Sequence, residues 1–482
     1  MSLFLIPALP LAAALLSLLP WGRRTAPLVT LAATGVSLAL AVSVALLVVS
    51  TGALVALPGW VAVDGFAALL TALVAFLNFT AALFSWGYVA HHDYTPARAR
   101  SYWAHFNLFA FSLVLVPVLD QPALVWIAVE FTAVFSVLLV AFENTHDALE
   151  AAWKYIALMF MGAAIALVGF FLLFWAQDAA GGGHYSWEGL RAVAGRLPPP
   201  LALAAFLFVL VGFGVKVGLV PLHTWLPDAH SQAPAPVCAL LSGIKTTNSL
   251  YVIFRLGALL PPSQERPILQ VVGLVAVVVA AFLLLQVTDY KRLFAYSTVE
   301  HMGILCVAAG LGGDGAFGAM MQMVAHSLTK SFCFLAAGAA LLVVGTREIA
   351  TVRGLIHRSP AAGVALIGGA LAIGGAPPFA VFLSEFSIFR AGLAQGAYLV
   401  TGLLAAGIVV AFFGILLHVN RVVFGAPSPP PDPARHRGLP AACTAALALA
   451  AIPVIVLGIC QPAPLAALLS QAAAAIAPVG GP

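Results

Sequence analysis

The chain has 482 residues, of which 62% are hydrophobic and 8% charged, with a formal net charge of +4. Soluble globular domains carry roughly 25% charged residues, so this composition excludes a water-soluble protein and makes lipid the solvent. A length that would otherwise suggest about three soluble domains reads instead as one all-α polytopic membrane bundle.

The N-terminus, MSLFLIPALPLAAALLSLLPWGRR, is apolar before it is basic, the reverse of a secretory signal peptide, and reads as a first membrane helix. A span needs about 20 apolar residues. The chain then predicts fourteen, over 3–20, 27–56, 61–88, 102–119, 122–142, 148–176, 201–227, 236–260, 268–288, 292–312, 316–344, 361–390, 397–424 and 439–460. Strands are not expected, because no segment of about ten residues sustains polar/apolar alternation.

The loops orient these spans. On the side reached after the first span lie Arg23, Arg24, Arg98, Arg100, Lys154, Lys291, Arg292, Arg347, Arg353, Arg358, Arg421, Arg435 and Arg437. The other side has only Arg191, Arg196, Arg255, Arg266 and Arg390. The richer side is expected to be cytoplasmic, which puts both termini outside. The net charge of +4 follows from this loop topology, and a nucleic-acid partner is not supported.

The remaining three of the 21 basic residues, Lys216, Lys245 and Lys330, fall inside spans, as do Glu130, Glu300 and Glu385. Each charge at mid-bilayer costs about 2.5–3.5 kcal/mol. Pairing of these ions to fix helix packing is the structural alternative; a wet, polar interior is the functional one. Small residues alone can pack membrane helices, and 43 glycines are available for that.

Spacing suggests a repeat. Glu130 and Glu300 are 170 residues apart, and Lys216 and Glu385 are 169 apart, on spans five and ten, seven and twelve. An offset of five spans is odd, so two equivalent halves would be inverted in the membrane, as in secondary transporters with mid-depth sites on interrupted helices. Pro221, in FGVKVGLVPLHTW, removes an amide donor and crowds the carbonyl of residue 217. Gly375, Pro377 and Pro378, in GGAPPF, interrupt span twelve. Broken backbone in a membrane belongs where it is buried in protein or lines a cavity. Lys216, about halfway along 201–227, is therefore expected beside a kink. Burial favours a neutral amine and a nearby carboxylate the ammonium, so a lysine whose partner moves can load and release a proton.

A polar trail continues from it through His223, Lys245, Glu300 and His301. Gln322, His326 and Lys330 follow at i, i+4 and i+8 on one helix face. Such His, Lys and Glu chains relay protons. Lys154, four residues after Glu150, reads either as an interfacial ion pair or as a proton entry or modulator of Glu130. Cys238, Cys306, Cys333, Cys443 and Cys460 lie in apolar runs without a C-x-x-C pair. Iron–sulfur and zinc sites need clustered thiolates, so no disulfide, metal or cofactor is expected in this chain. Haem b would need paired axial histidines, for which His301 and His326 are conceivable, but their neighbouring charges suit proton transfer better.

LVPLHTWLPDAHSQAPAPV (219–237), DYKRLFAYSTVEHMG (289–303) and HSLTKSFCFLAAG (326–338) resemble the antiporter-like membrane subunits of respiratory complex I, Mrp-type cation/proton antiporters and group 4 hydrogenases. WIAVE (126–130), ALEAAWKY (148–155), STVEHMG (297–303) and FLSEF (382–386) look most like the hydrogenase-4 component F branch. The resemblance covers roughly residues 60 to 425. It implies a fourteen-helix fold with two inverted five-helix repeats and broken spans seven and twelve. The corresponding division is 1–101 for the first three spans, 102–260 for the first repeat, 261–424 for the second, and 425–482 for a loop, the last span and a short tail. Because little follows the last span, the chain resembles the family's shorter members. The implied proton path falls on Glu130, Lys216, His326, Lys330 and Glu385. The common lysine of span eight would align at Thr247, two residues and about 200° of helix from Lys245, and the frequent histidine at 322 is glutamine.

The function implied is a non-redox, proton-translocating subunit of a complex in a prokaryotic cell membrane. It would be driven by a peripheral redox module of group 4 hydrogenase, formate hydrogenlyase or NADH–quinone oxidoreductase type. Its partners would be other membrane subunits and lipid. A sodium/proton antiporter subunit, or a subunit of a partner-driven inorganic-carbon uptake system, is the alternative.

Overall fold

A computed structural model describes residues 1–20, 25–426 and 438–478; Arg23, Arg24, Arg435 and Arg437 of the basic loops lie outside them. Helices α1 (Ser2–Ser17) and α2 (Thr25–Thr51) lead into a hairpin of β1 (Ala53–Leu57) and β2 (Val61–Asp64). Then come α3 (Gly65–His91), α4 (Pro96–Val118), α5 (Pro122–Val140), α6 (His146–Ala179), the short α7 (Trp187–Val193), α8 (Pro199–Val217) and α9 (Trp225–Gln232). α10 (Ala235–Leu240) runs through a π turn at Leu241–Lys245 into α11 (Thr246–Gly257). α12 (Pro262–Leu284), α13 (Tyr290–Leu311), α14 (Asp314–Val344), α15 (Leu355–Arg358), α16 (Pro360–Ile373) and α17 (Ala380–Ala394) follow. α18 (Tyr398–Phe424), α19 (Ala441–Ile459) and α20 (Ala463–Ile476) complete the described chain.

Twelve helical segments among the described residues are long and apolar enough to cross a membrane. The first expected span is the shorter α1, and the twelfth is the pair α16 and α17. Large apolar side chains such as Phe171, Trp175, Phe282 and Phe413 point outward, where lipid is their solvent. Lys216, Lys245, Glu300, His326, Lys330 and Glu385 point inward. The bundle is thus inside out relative to a soluble protein, with its charges at the centre.

Three expectations need correction. Residues 53–57 are a strand rather than the end of the second span. β1 pairs antiparallel with β2, Val55 opposite Ala62, and five residues are too few for the barrel-strand criterion to register. The tail after the last span is helix α20, rich in alanine and docked on α3, with the Arg191 guanidinium donating to the carbonyls of Ala474 and Ala475 at its C-terminal end. Span seven does not run through Lys216 to 227. α8 stops at Val217 because Gly218 adopts φ +84°. Its N–H and that of Leu219 then close onto the Gly214 carbonyl, each at 2.9 Å. The break therefore begins three residues before Pro221, and Lys216 occupies the last turn of α8 rather than its middle.

Four of the five cysteines are buried packing residues; Cys460 is exposed. α8 is held against α6 by a close glycine contact. A Cβ on Gly212 would lie 2.5 Å from the Ala166 nitrogen and the Gly162 carbonyl oxygen. Gly212→Val forces these helices apart one turn from Lys216. Overpacking of this kind costs about 1–3 kcal/mol, so the variant should melt at a clearly lower temperature in detergent; an unchanged Tm would contradict the close approach.

Candidate functional site

Glu130 on α5 and Lys216 on α8 meet as an ion pair, Nζ to Oε2 3.0 Å, with side-chain exposures of 13% and 0%. The ammonium also donates to the Met159 carbonyl at 3.4 Å, and it sits at the negative end of the α8 dipole. Glu130 Oε1 has no protein partner among the described residues. Removing one member of a buried pair strands the other charge at a cost of about 3–5 kcal/mol, so the two are energetically tied.

Lys245 joins this pair because the helix carrying it is irregular. The π turn Leu241–Lys245 inserts one extra residue and swings the lysine into the chamber of Lys216. Its Nζ lies 4.6 Å from the Tyr155 ring centroid and 4.5 Å from that of Trp225, a cation–π cradle. It lies 3.3 Å from Met159 Sδ, while Lys216 uses the carbonyl of the same methionine. The cradle is itself pinned: Tyr155 shares a 2.6 Å hydrogen bond with Ser136, and Trp225 Nε1 donates to the Val215 carbonyl at 2.7 Å.

The π turn also presents the Ser242 carbonyl to His326, whose Nε2 lies 3.3 Å away. The His326 and His301 rings sit 5.3 Å apart. His301 Nε2 donates to the Ile373 carbonyl at 3.0 Å. In the neutral ring Nδ1 is then an acceptor, and it takes the Gln322 side-chain N–H at 2.8 Å. That leaves Gln322 Oε1 to accept from Ser384, the neighbour of Glu385. Gln322 thus links the histidines to α17 without titrating. Both His301 nitrogens are engaged and the rings lie side by side, which leaves no slot for a haem between them. Lys330 donates to the Phe294 carbonyl at 2.9 Å, and Glu300 lies within electrostatic reach of Lys330 and Glu385. Gly375, at φ +76°, leaves room for the Glu385 carboxylate, whose Oε2 occupies the place a side chain's Cβ would need.

Two predicted residues stand apart. Lys154 pairs at 2.6 Å with Glu150 and at 3.4 Å with Asp228, which Arg292 also holds at 2.7 Å; this is a half-exposed network at one end of the bundle, and Lys154 does not touch Glu130. His223 lies half-buried in the turn between α8 and α9, its ring 6.4 Å from that of Tyr296. Sequence reasoning missed Tyr155, Trp225, Ser242 and Ser384, whose only signal was adjacency to charged motif residues. It also missed that the motif starting at Asp289 is a clamp. Asp289 caps α13 through Lys291 N–H at 2.7 Å, accepts from Ser231 at 2.6 Å and pairs with Arg347 at 3.0 Å. Lys291 in turn donates to the carbonyls of Ser231 and Ala233.

Residues 121–413 match the family described as "NADH:quinone oxidoreductase/Mrp antiporter, TM". The chain belongs to this family. It is 39% identical over 380 residues, 76% of this chain and 80% of the other, to a hydrogenase-4 component F homolog of Methylacidiphilum infernorum. It is 28% identical to hydrogenase-4 component B of Escherichia coli over 67% of this chain and 49% of that protein. The fold superposes on a chain of the membrane-bound sulfane sulfur reductase, an archaeal respiratory membrane complex, with a TM-score of 0.86 at 25% identity over 99% of this chain and 98% of that one. The Mrp complex of Dietzia sp. gives the same score at 23% identity, over 98% and 96%. Within this antiporter-like family the chain stands close to the hydrogenase-4 component F and B homologues, as a multi-pass membrane protein.

Asp289→Ala removes a cap and strands buried donors, a loss of about 2–3 kcal/mol. It should lower the Tm of the purified protein while leaving the 3.0 Å Glu130–Lys216 pair intact; a wild-type melting curve would rule out the clamp.

Proposed function

We propose that this protein is a proton-translocating membrane subunit of a redox-driven complex of the group 4 hydrogenase or NADH–quinone oxidoreductase type. The observation that carries the reading is the buried Glu130–Lys216 pair continued inward by Lys245, His326, His301, Gln322, Ser384 and Glu385. A charge shift in a partner module would draw Glu130 away from Lys216. The desolvated ammonium then gives up its proton toward Lys245 and His326, and Glu385 receives it at the far end. Lys330 and Glu300 set the local field along the way. Peripheral redox and further membrane subunits are the partners, and sequence comparison with hydrogenase-4 components supports that class.

The same reading takes ten of the fourteen spans as two inverted five-helix repeats, with breaks at 218–224 and 374–379. Glu130 faces Lys216 in one half, and Glu300 lies within reach of Glu385 in the other. Both termini lie outside, in the cytoplasmic membrane of a prokaryote. A sodium/proton antiporter subunit is the second reading, and the carboxylates Glu300 and Glu385 on neighbouring helices favour it.

In membrane vesicles holding the assembled complex, Lys216→Ala should insert normally yet abolish proton pumping. Pumping at the parent rate would refute the role. Proton movement that requires sodium, with Glu385→Gln abolishing the requirement, would instead establish the antiporter reading.

A further inference from the structure

A second polar feature lies away from this axis, beneath the β-hairpin. A cavity of about 260 Å³ is lined by Asp64, Asp120, Trp187, Tyr251 and Arg255, with Glu188 and Arg191 at one side and Val55, 51% exposed, at the rim. Asp64 caps α3 through the Ala67 N–H at 3.0 Å and accepts both guanidinium nitrogens of Arg255 at 2.6 Å. Burial raises the Asp64 carboxyl, but Arg255 outweighs it and holds the group below the usual carboxylate range. Arg255 packs over the rings of Tyr251 and Phe66.

Asp120 differs from Asp64. It is 7% exposed and forms no ion pair among the described residues. Burial lifts its carboxyl above the usual range, with Arg255 opposing and Asp64 and Glu188 adding to the rise. Three fully or nearly buried donors lining the same cavity, the Tyr251 hydroxyl, Trp187 Nε1 and Arg255 Nε, meet no acceptor at hydrogen-bonding geometry among the described residues. Buried polar groups left by the protein are ordinarily served by water.

The floor of this cavity leads back to the axis along one helix face. Thr247, Tyr251 and Arg255 stand at i, i+4 and i+8 on α11, one turn or about 6 Å apart. Thr247 shares a 3.3 Å hydrogen bond with Ser327, the residue after His326. Asn248, between Thr247 and Tyr251, keeps a buried side-chain carbonyl oxygen without a partner among the described residues. We propose that the cavity beneath the hairpin is a water-filled proton port, joined to the axis at His326 by the Thr247–Asn248–Tyr251 face, with Asp120 as the group that exchanges protons with the outer solvent. The Tyr251 hydroxyl passes a proton by accepting one and donating another, without ionising. Arg255, latched by Asp64, is a positioning residue that holds the Tyr251 ring and keeps other cations out of the passage. The proposal rests on the proton-translocation reading.

The test uses the assembled complex in vesicles, with dihydrogen or NADH as electron donor. Tyr251→Phe keeps the ring stacked on Arg255 and removes only the hydroxyl; Asp120→Asn removes only the titrating site. Each should cut the proton-pumping rate at least about fivefold, while donor oxidation with a protonophore present stays at the parent level. In a Cys460→Ser background, Val55→Cys treated with a cationic, membrane-impermeant thiol reagent should lose pumping only when the reagent is added from the hairpin side. Parent-rate pumping by both Tyr251→Phe and Asp120→Asn, with Lys216→Ala inactive, overturns the port and leaves the axis standing. Parent-rate pumping by Lys216→Ala as well overturns both.

Discussion

An ammonium and a carboxylate 3.0 Å apart inside an oily bundle are the constraint on which the rest of this protein depends. Neither charge is tolerable there alone, and each offsets part of the cost of burying the other. Everything adjacent keeps that contact in place: the close approach of Gly212 to Gly162, the early stop of α8 at Gly218, and the Met159 carbonyl that takes a second ammonium proton. The design is stable while the pair is closed and costly while it is open, which is the property a switch requires.

Beyond that pair the interior alternates groups that titrate with groups that only orient. Lysines and histidines are separated by hydroxyls, a backbone carbonyl and one amide. Gln322 shows why a non-titrating residue serves here. Its amide donates to a histidine and its carbonyl accepts from a serine, so it imposes one direction on the hydrogen bonds around it. A histidine at that place could reverse its tautomer and lose the direction.

Much of this was legible in the chain itself. A charge in an apolar run is expensive, so Lys216, Glu130, Lys330 and Glu385 announce themselves, and Lys216 and Glu130 do meet. Helix ends were harder to read. Pro221 is the conspicuous breaker, yet Gly218 ends α8, because a left-handed residue stops a helix as firmly as a missing donor. The hairpin escaped because its strands are short, and the Asp289 clamp because a carboxylate beside basic residues at a loop looks like ordinary surface. The π turn leaves no composition signal; only the misplaced register of Lys245 hinted at it.

That turn has a mechanical consequence. The same backbone distortion aims Lys245 at its aromatic cradle and offers the Ser242 oxygen to His326. Straightening it to a regular helix would withdraw both at a stroke. The Lys245 cradle and the His326 contact therefore hang on the same few main-chain atoms, as two leaves hang on one hinge pin, and neither can be lost without disturbing the other.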